Sequence, residues 1–241
     1  ASGVKIVSGS QLSMAALKDD GSVVTWGSSD SGGDSSSVSS SLTSGVKKVY
    51  SEYSVFAALK DDGSVVTWGN TSKGGNSSSV SSGLASGVIE ISGNNTSLVA
   101  LKSDGSVIAW GDSSLGGSLT SPVNVASAVA SGVTKIYSGA SAYAAQKDNG
   151  SAVTWGNYSY GGDSSSVSSS LTYGVIKIYI NELGAAAALK SDGSVVTWGN
   201  TSNGGNSSSV SPSLTSGVKR IYSTGTAFAA LKTDGSVVTW G

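Results

Sequence analysis

Short apolar bursts, separated by polar stretches rich in Ser and Gly, run the length of the chain and recur in a fixed order. Each recurrence holds three bursts. In the second copy the first is residues 46–50, of the form Gly-Val-x-x-Ile/Val once Gly45 is counted. The second ends Ala-Ala-Leu-Lys at residues 57–60, and the third is Ser-Val-Val-Thr-Trp at residues 64–68. Runs this short, rich in β-branched residues and bounded by Gly and Ser, predict strands. Between the second and third bursts stands Asp62-Gly63, the signal for a two-residue type I′ hairpin. Asn149 replaces Asp in the fourth copy, and since both residues tolerate positive φ, the exchange points to a geometric role for this position. Val65 and Val66 lie side by side, so the third strand is apolar on both faces, as a strand sandwiched between packed sheets must be.

Trp-Gly closes the third burst six times, with Trp at 26, 68, 110, 155, 198 and 240, at spacings of 42, 42, 45, 43 and 42 residues. That is the period of a propeller blade. Six units (residues 2–27, 44–69, 86–111, 131–156, 173–199 and 216–241) and five polar connectors account for the chain apart from Ala1. The expectation is an all-β fold, a six-bladed β-propeller of repeats about 42 residues long with short three- to four-stranded blades, forming one domain over residues 1–241. Each Trp should fill the gap between adjacent blades. A linear solenoid would need polar caps. Here the first unit (Val4, Ile6, Val7) and the last (Val237, Val238, Trp240) are as apolar as those between, which favours a closed ring. Two closure schemes stand open: no strand is exchanged, or residues 4–7 complete the blade that ends at Trp240.

Composition narrows the function. Ser and Gly abound, but 38% hydrophobic residues with six Trp is too much apolar material for a solvated coil. Fourteen Lys and Arg against fifteen Asp and Glu leave a formal net charge of −1, which offers no electrostatic footprint for nucleic acid or an anionic membrane surface. No apolar run approaches the roughly 20 residues that span a bilayer. The chain opens in phase with a repeat and without a visible leader. It therefore reads as a module of a larger secreted or surface protein, with an extracellular or cell-surface location expected.

The units resemble the regulator-of-chromosome-condensation repeat superfamily, in which a Gly-rich turn, an Ala-Leu-Lys/Thr strand, Asp-Gly and a Val-x-x-Trp-Gly strand succeed one another. Residues 86–111, SGVIEISGNNTSLVALKSDGSVIAWG, are similar to the bacterial β-lactamase-inhibitory propellers of that superfamily. The resemblance spans all six units and implies a propeller with three- or four-stranded blades. This chain lacks the family's His, has Gly-Gly connectors where the family commonly has Gly-Gln, and has six units where the family has seven.

Candidate chemistry is sparse. Without His or Cys the usual bases, nucleophiles and zinc ligands are missing, and the chain reads as a non-enzyme with no metal and no cofactor. Glu52 and Glu182 occupy equivalent positions in separate units and form no acid/base couple. The connector oxygens (Asp34, Asn70, Asn76, Asp112, Asp163 and Asn206 among them) read as turn formers, since calcium wants more carboxylates than any connector offers. The Lys ending each second strand, such as Lys60 and Lys102, reads as a stem over apolar surface with its charge near the turn Asp. Tyr50, Tyr137, Tyr179 and Tyr222 recur at one strand position and read as structural.

Recognition is expected where the units differ. One variable segment joins strands one and two, and the other follows Trp-Gly. They supply the candidates Tyr53, Tyr143, Tyr158, Tyr160 and Lys73, residue types suited to contacts with protein or carbohydrate. The leading expectation is a binding or scaffold module. A lectin-like binder, an inhibitor of an extracellular enzyme and an engineered or recently amplified repeat without a ligand are the alternatives.

Overall fold

The structure, a computed structural model, describes residues 2–241. It is an all-β, six-bladed propeller fold whose blades are six separate three-stranded antiparallel sheets. The blades are β1 (Val4–Gly9), β2 (Ser13–Lys18), β3 (Val23–Gly27); β4 (Val46–Glu52), β5 (Val55–Lys60), β6 (Val65–Gly69); β7 (Val88–Gly93), β8 (Ser97–Lys102), β9 (Val107–Gly111); β10 (Val133–Ser138), β11 (Ala142–Lys147), β12 (Ala152–Gly156); β13 (Val175–Ile180), β14 (Ala185–Lys190), β15 (Val195–Gly199); and β16 (Val218–Ser223), β17 (Phe228–Lys232), β18 (Val237–Trp240). Every sheet is built from consecutive strands, β1 included, so the exchange of residues 4–7 into the blade ending at Trp240 does not occur. Three blades form each of two compact units, residues 1–118 and 119–241.

The middle strand explains how blades stack inside a unit. Its side chains alternate between faces, so each blade contributes to two cores. In the first unit Phe56 and Ala58 of β5 join Ala15 and Leu17 of the preceding blade, while Val55, Ala57 and Leu59 join Val88, Ile91 and Leu98 of the next. The second unit repeats this with Ala186 and Ala188 on one face of β14 and Ala185, Ala187 and Leu189 on the other. Alanine recurs here because blades approach too closely for larger side chains. Each of these cores receives one leucine from a connector: Leu42, Leu84, Leu171 or Leu214.

Tryptophan latches the connector as well as filling the core. The Nε1–H groups of Trp68, Trp110, Trp198 and Trp240 donate to the carbonyls of Gly32, Gly74, Gly161 and Gly204 at 2.9–3.0 Å, each on the connector that enters the blade. The neighbouring glycine is equally constrained. A Cβ on Gly75 would stand 2.4 Å from the carbonyl oxygen of Gly69, so Gly-Gly is a steric requirement of the fold-back. Trp26 departs from expectation. It is 46% exposed, opposite Met14 in the register, and Ile6, Met14 and Val24 of the same blade are exposed too.

The hairpins also differ from the two-residue type I′ expectation. Gly63 N–H donates to Lys60 O and Lys60 N–H to Ser64 O, and only the glycine takes positive φ (+77°). The loop is therefore the three-residue form, residues 61–63, a turn over residues 60–63 that closes on a left-handed glycine. Asp62 earns its place as an acceptor, its Oδ1 receiving Ser64 N–H at 2.9 Å and Ser64 Oγ–H at 2.6 Å. Asn149 does the same for Ser151, which is why the exchange is tolerated.

Candidate functional site

Within each unit the two variable segments form one surface. Where the chain leaves Trp-Gly, a turn of 3₁₀ helix is set by an Asn or Asp whose side chain accepts the N–H two residues on: Asn70 from Ser72, Asp112 from Ser114, Asn157 from Ser159, Asn200 from Ser202. That turn is stitched to the loop between the blade's first two strands. Ser10 Oγ donates to Ser31 O (3.2 Å), Asn94 Nδ2 to Leu115 O (2.8 Å) and Asn181 Nδ2 to Asn203 O (2.8 Å). Neighbouring loops are tied in turn, Gln11 N–H to Tyr53 O and Leu183 N–H to Gly225 O. The result is a rim of short, hydrogen-bonded loops on a sheet scaffold, suited to holding side chains for contact without a large ordering cost.

The expected residues fall into two sets. In the first unit Tyr53 is 45% exposed, and Lys73, two segments away in sequence, places Nζ 4.5 Å from the centre of its ring. In the second unit Tyr158 and Tyr160 flank one 3₁₀ turn, exposed by 52% and 37%. The Tyr158 hydroxyl donates to Pro122 O at 3.1 Å. Tyr160 lies on Gly184 of the next blade's loop so closely that a Cβ there would fall 2.3 Å from the Tyr160 Cα. Tyr143 is corrected. It is a residue of β11, fully buried, directly opposite Trp155 in the register and stacked on it at 5.5 Å. Phe56 and Phe228 hold the same register position against Trp68 and Trp240, an alignment that was available in the sequence. Leu12 and Leu183, exposed on the rim, were missed because a single apolar residue in a variable loop carries no pattern.

Other side chains are bound into the frame. Lys60, Lys102, Lys147, Lys190 and Lys232 donate to carbonyls of the connector entering their blade (Ser41, Gly83, Ala128, Ser170 and Ser213) in place of the expected turn Asp. Among the described residues only Lys18 pairs with its turn acid, Asp20, at 3.2 Å. Hydrogen bonds from Ser22 hold Asp20 down to a pKa of about 2, and Ser64, Ser106, Ser194 and Ser236 lower Asp62, Asp104, Asp192 and Asp234 in the same way. Glu52, at the rim end of β4, is the exception. Its carboxyl lies over Gly93, and burial pushes it up to about 7.

Comparison with solved structures places this fold. No protein-family model and no curated protein matches the chain. The Saccharomyces cerevisiae Prp20p structure, described with its binding to Gsp1p and histones, superposes with a TM-score of 0.53 at 16% identity, covering 98% of this chain and 71% of that one. Yeast RCC1 (Prp20) bound to Kap60 gives 0.54 at 15%, covering 99% and 70%. Human WBSCR16 gives 0.53 at 18%, covering 98% and 77%. At these identities the likeness speaks to the fold, which is that of the RCC1-like propellers.

Proposed function

We propose that this protein is a non-catalytic partner-binding module that recognises its partner through the rim. The observation that carries the reading is the stitching of both variable segments into one surface within each unit, bearing exposed Tyr53 with Lys73 in the first and exposed Tyr158 and Tyr160 in the second. Exposed tyrosines on a rigid mount give contact area at little conformational cost. The residue inventory supports non-enzymatic action: the chain has no His or Cys, and turn carboxylates accept from Ser donors. Prp20p, which shares the fold, is a protein binder, and protein is the partner class proposed here. The whole chain should be screened on protein and glycan arrays beside the variant Y53S/Y158S/Y160S. A protein hit lost in the variant supports the reading, a glycan hit alone moves the partner class to carbohydrate, and clean negatives on both arrays defeat it.

A further inference from the structure

Half of the chain's fourteen Lys and Arg lie on the first strands of blades. Those strands are where neighbouring blades draw together: β13 approaches both β10 and β16, whereas the third strands pack on connector turns. In the second unit the three first strands carry four cations, Lys135, Lys177, Lys219 and Arg220, and no acid. A net charge of −1 thus conceals a marked separation of charge.

The local geometry repeats three times as Lys135-Ile136-Tyr137, Lys177-Ile178-Tyr179 and Arg220-Ile221-Tyr222. The isoleucine is buried and anchors the strand. Just before it the register slips, between residues 133 and 135, 175 and 177, and 218 and 220, and this bulge turns the cation outward beside its neighbour. Each cation then lies over the tyrosine of its own strand, at 5.2, 4.9 and 6.0 Å from the ring centre. β13 lies against both β10 and β16, so the three strands present adjoining parts of one surface. Among the described residues the one ion pair is Lys18–Asp20, which leaves these four cations without a carboxylate. The acid closest in sequence, Glu182, lies beyond the end of β13.

Tyrosine faces spread positive charge but do not neutralise it. Three exposed cations at one register position, with Lys219 one residue before the third, therefore hold an attractive field for anions. Because the charges come from adjacent strands, a ligand with several anionic groups engages several at once, while a single anion meets one. Their confinement to three strands suits a compact polyanion over a long chain, which would need a drawn-out groove. Lysine serves phosphate as a point charge, and arginine and tyrosine add directed donors.

We propose that the first-strand face of the second unit, Lys135, Lys177, Lys219 and Arg220 with Tyr179 and Tyr222, binds a compact polyphosphorylated small molecule. The proposal is independent of the rim, since none of its residues belongs to the variable loops.

The probe is inositol hexakisphosphate, titrated calorimetrically into the whole chain at low salt. Saturable binding is expected, weakening as salt rises, with inorganic phosphate at least ~30-fold weaker. K135Q/K177Q/R220Q should lose affinity by ~10-fold or more, while K18Q/K60Q, altered elsewhere, stays within about 2-fold. Should the triple variant melt early, K177E, one exposed charge, carries the same test and the same expected direction. No saturable binding at low salt, equal binding by the first-strand variants, or tighter binding of a single-stranded oligonucleotide than of the probe would each overturn the assignment.

Discussion

Glu52 makes the pH dependence of stability unusually easy to isolate. The chain has no His and no Cys, so few side chains titrate between pH 4.5 and 7. Glu52 does, because its carboxyl rests on Gly93 and burial raises it from 4.5 to about 7. Over that window the folded chain holds a proton that the unfolded chain has released, so stability falls as pH rises. At about 1.36 kcal/mol for each tenfold change in proton affinity, the rise from 4.5 to about 7 sets a ceiling of roughly 3 kcal/mol, and residual solvent contact brings the expected value to about 2 kcal/mol. The turn aspartates act with the opposite sign. Their pKa values are lowered, so the stability they contribute is present above about 3.8 and is lost as pH falls further. Wild type should therefore be most stable near pH 4–5. Urea unfolding followed by tryptophan fluorescence at half-unit steps from pH 4 to 8 reads the effect. E52Q should match wild type near pH 4.5, lose the downward slope and exceed it by about 2 kcal/mol at pH 7.5. A flat wild-type profile, or an unchanged slope in E52Q, would refute the reasoning.

Three further predictions separate frame from surface. W68F removes an indole donor bonded to Gly32 O and should cost about 2–3 kcal/mol in urea unfolding, whereas W26F, at an exposed ring, should change stability by less than about 0.5 kcal/mol. D62N should keep the melting temperature of wild type and D62A should lower it, because an acceptor oxygen is what Ser64 requires; equal loss in both would restore a role for the charge. G75A should fail to fold to a wild-type circular-dichroism spectrum, since its Cβ has no space beside Gly69 O, and a native spectrum would show that the connector can reroute.

The frame was legible because it is written six times. Trp-Gly, the three bursts and the Ala-rich middle strand each state a local preference and a packing role, and the two agree. The sequence is ambiguous where one residue type serves two geometries. Asp-Gly denotes both the two-residue hairpin and the three-residue loop, and only the φ of Asp distinguishes them. Tyr143 adjoins a variable segment and so reads as a rim residue, although its register opposite Trp155 puts it in the core. The strand-two lysines were assigned to nearby turn acids because their true acceptors are carbonyls about twenty residues upstream, and carbonyls leave no mark in a sequence. Tyr137, Tyr179 and Tyr222 were set aside as structural because they repeat. Repetition fixed their position on the strand, but the bulge before the anchoring isoleucine gave each an exposed cation as its neighbour, and a bulge was not visible in the pattern. The joining of the two rim segments was hidden too, since it depends on side chains reaching across a blade, as Asn94 does to Leu115.

The proposed division is between repeated residues that build the frame and unrepeated rim residues that recognise a partner protein. The most direct measurement compares wild type with Y53S/K73S/Y158S/Y160S, for binding to the purified array partner on a biosensor and for the urea midpoint. The division predicts an affinity loss of about tenfold or more with little change in midpoint. Unchanged affinity in the quadruple variant, or a loss that tracks a fall in stability, would contradict it.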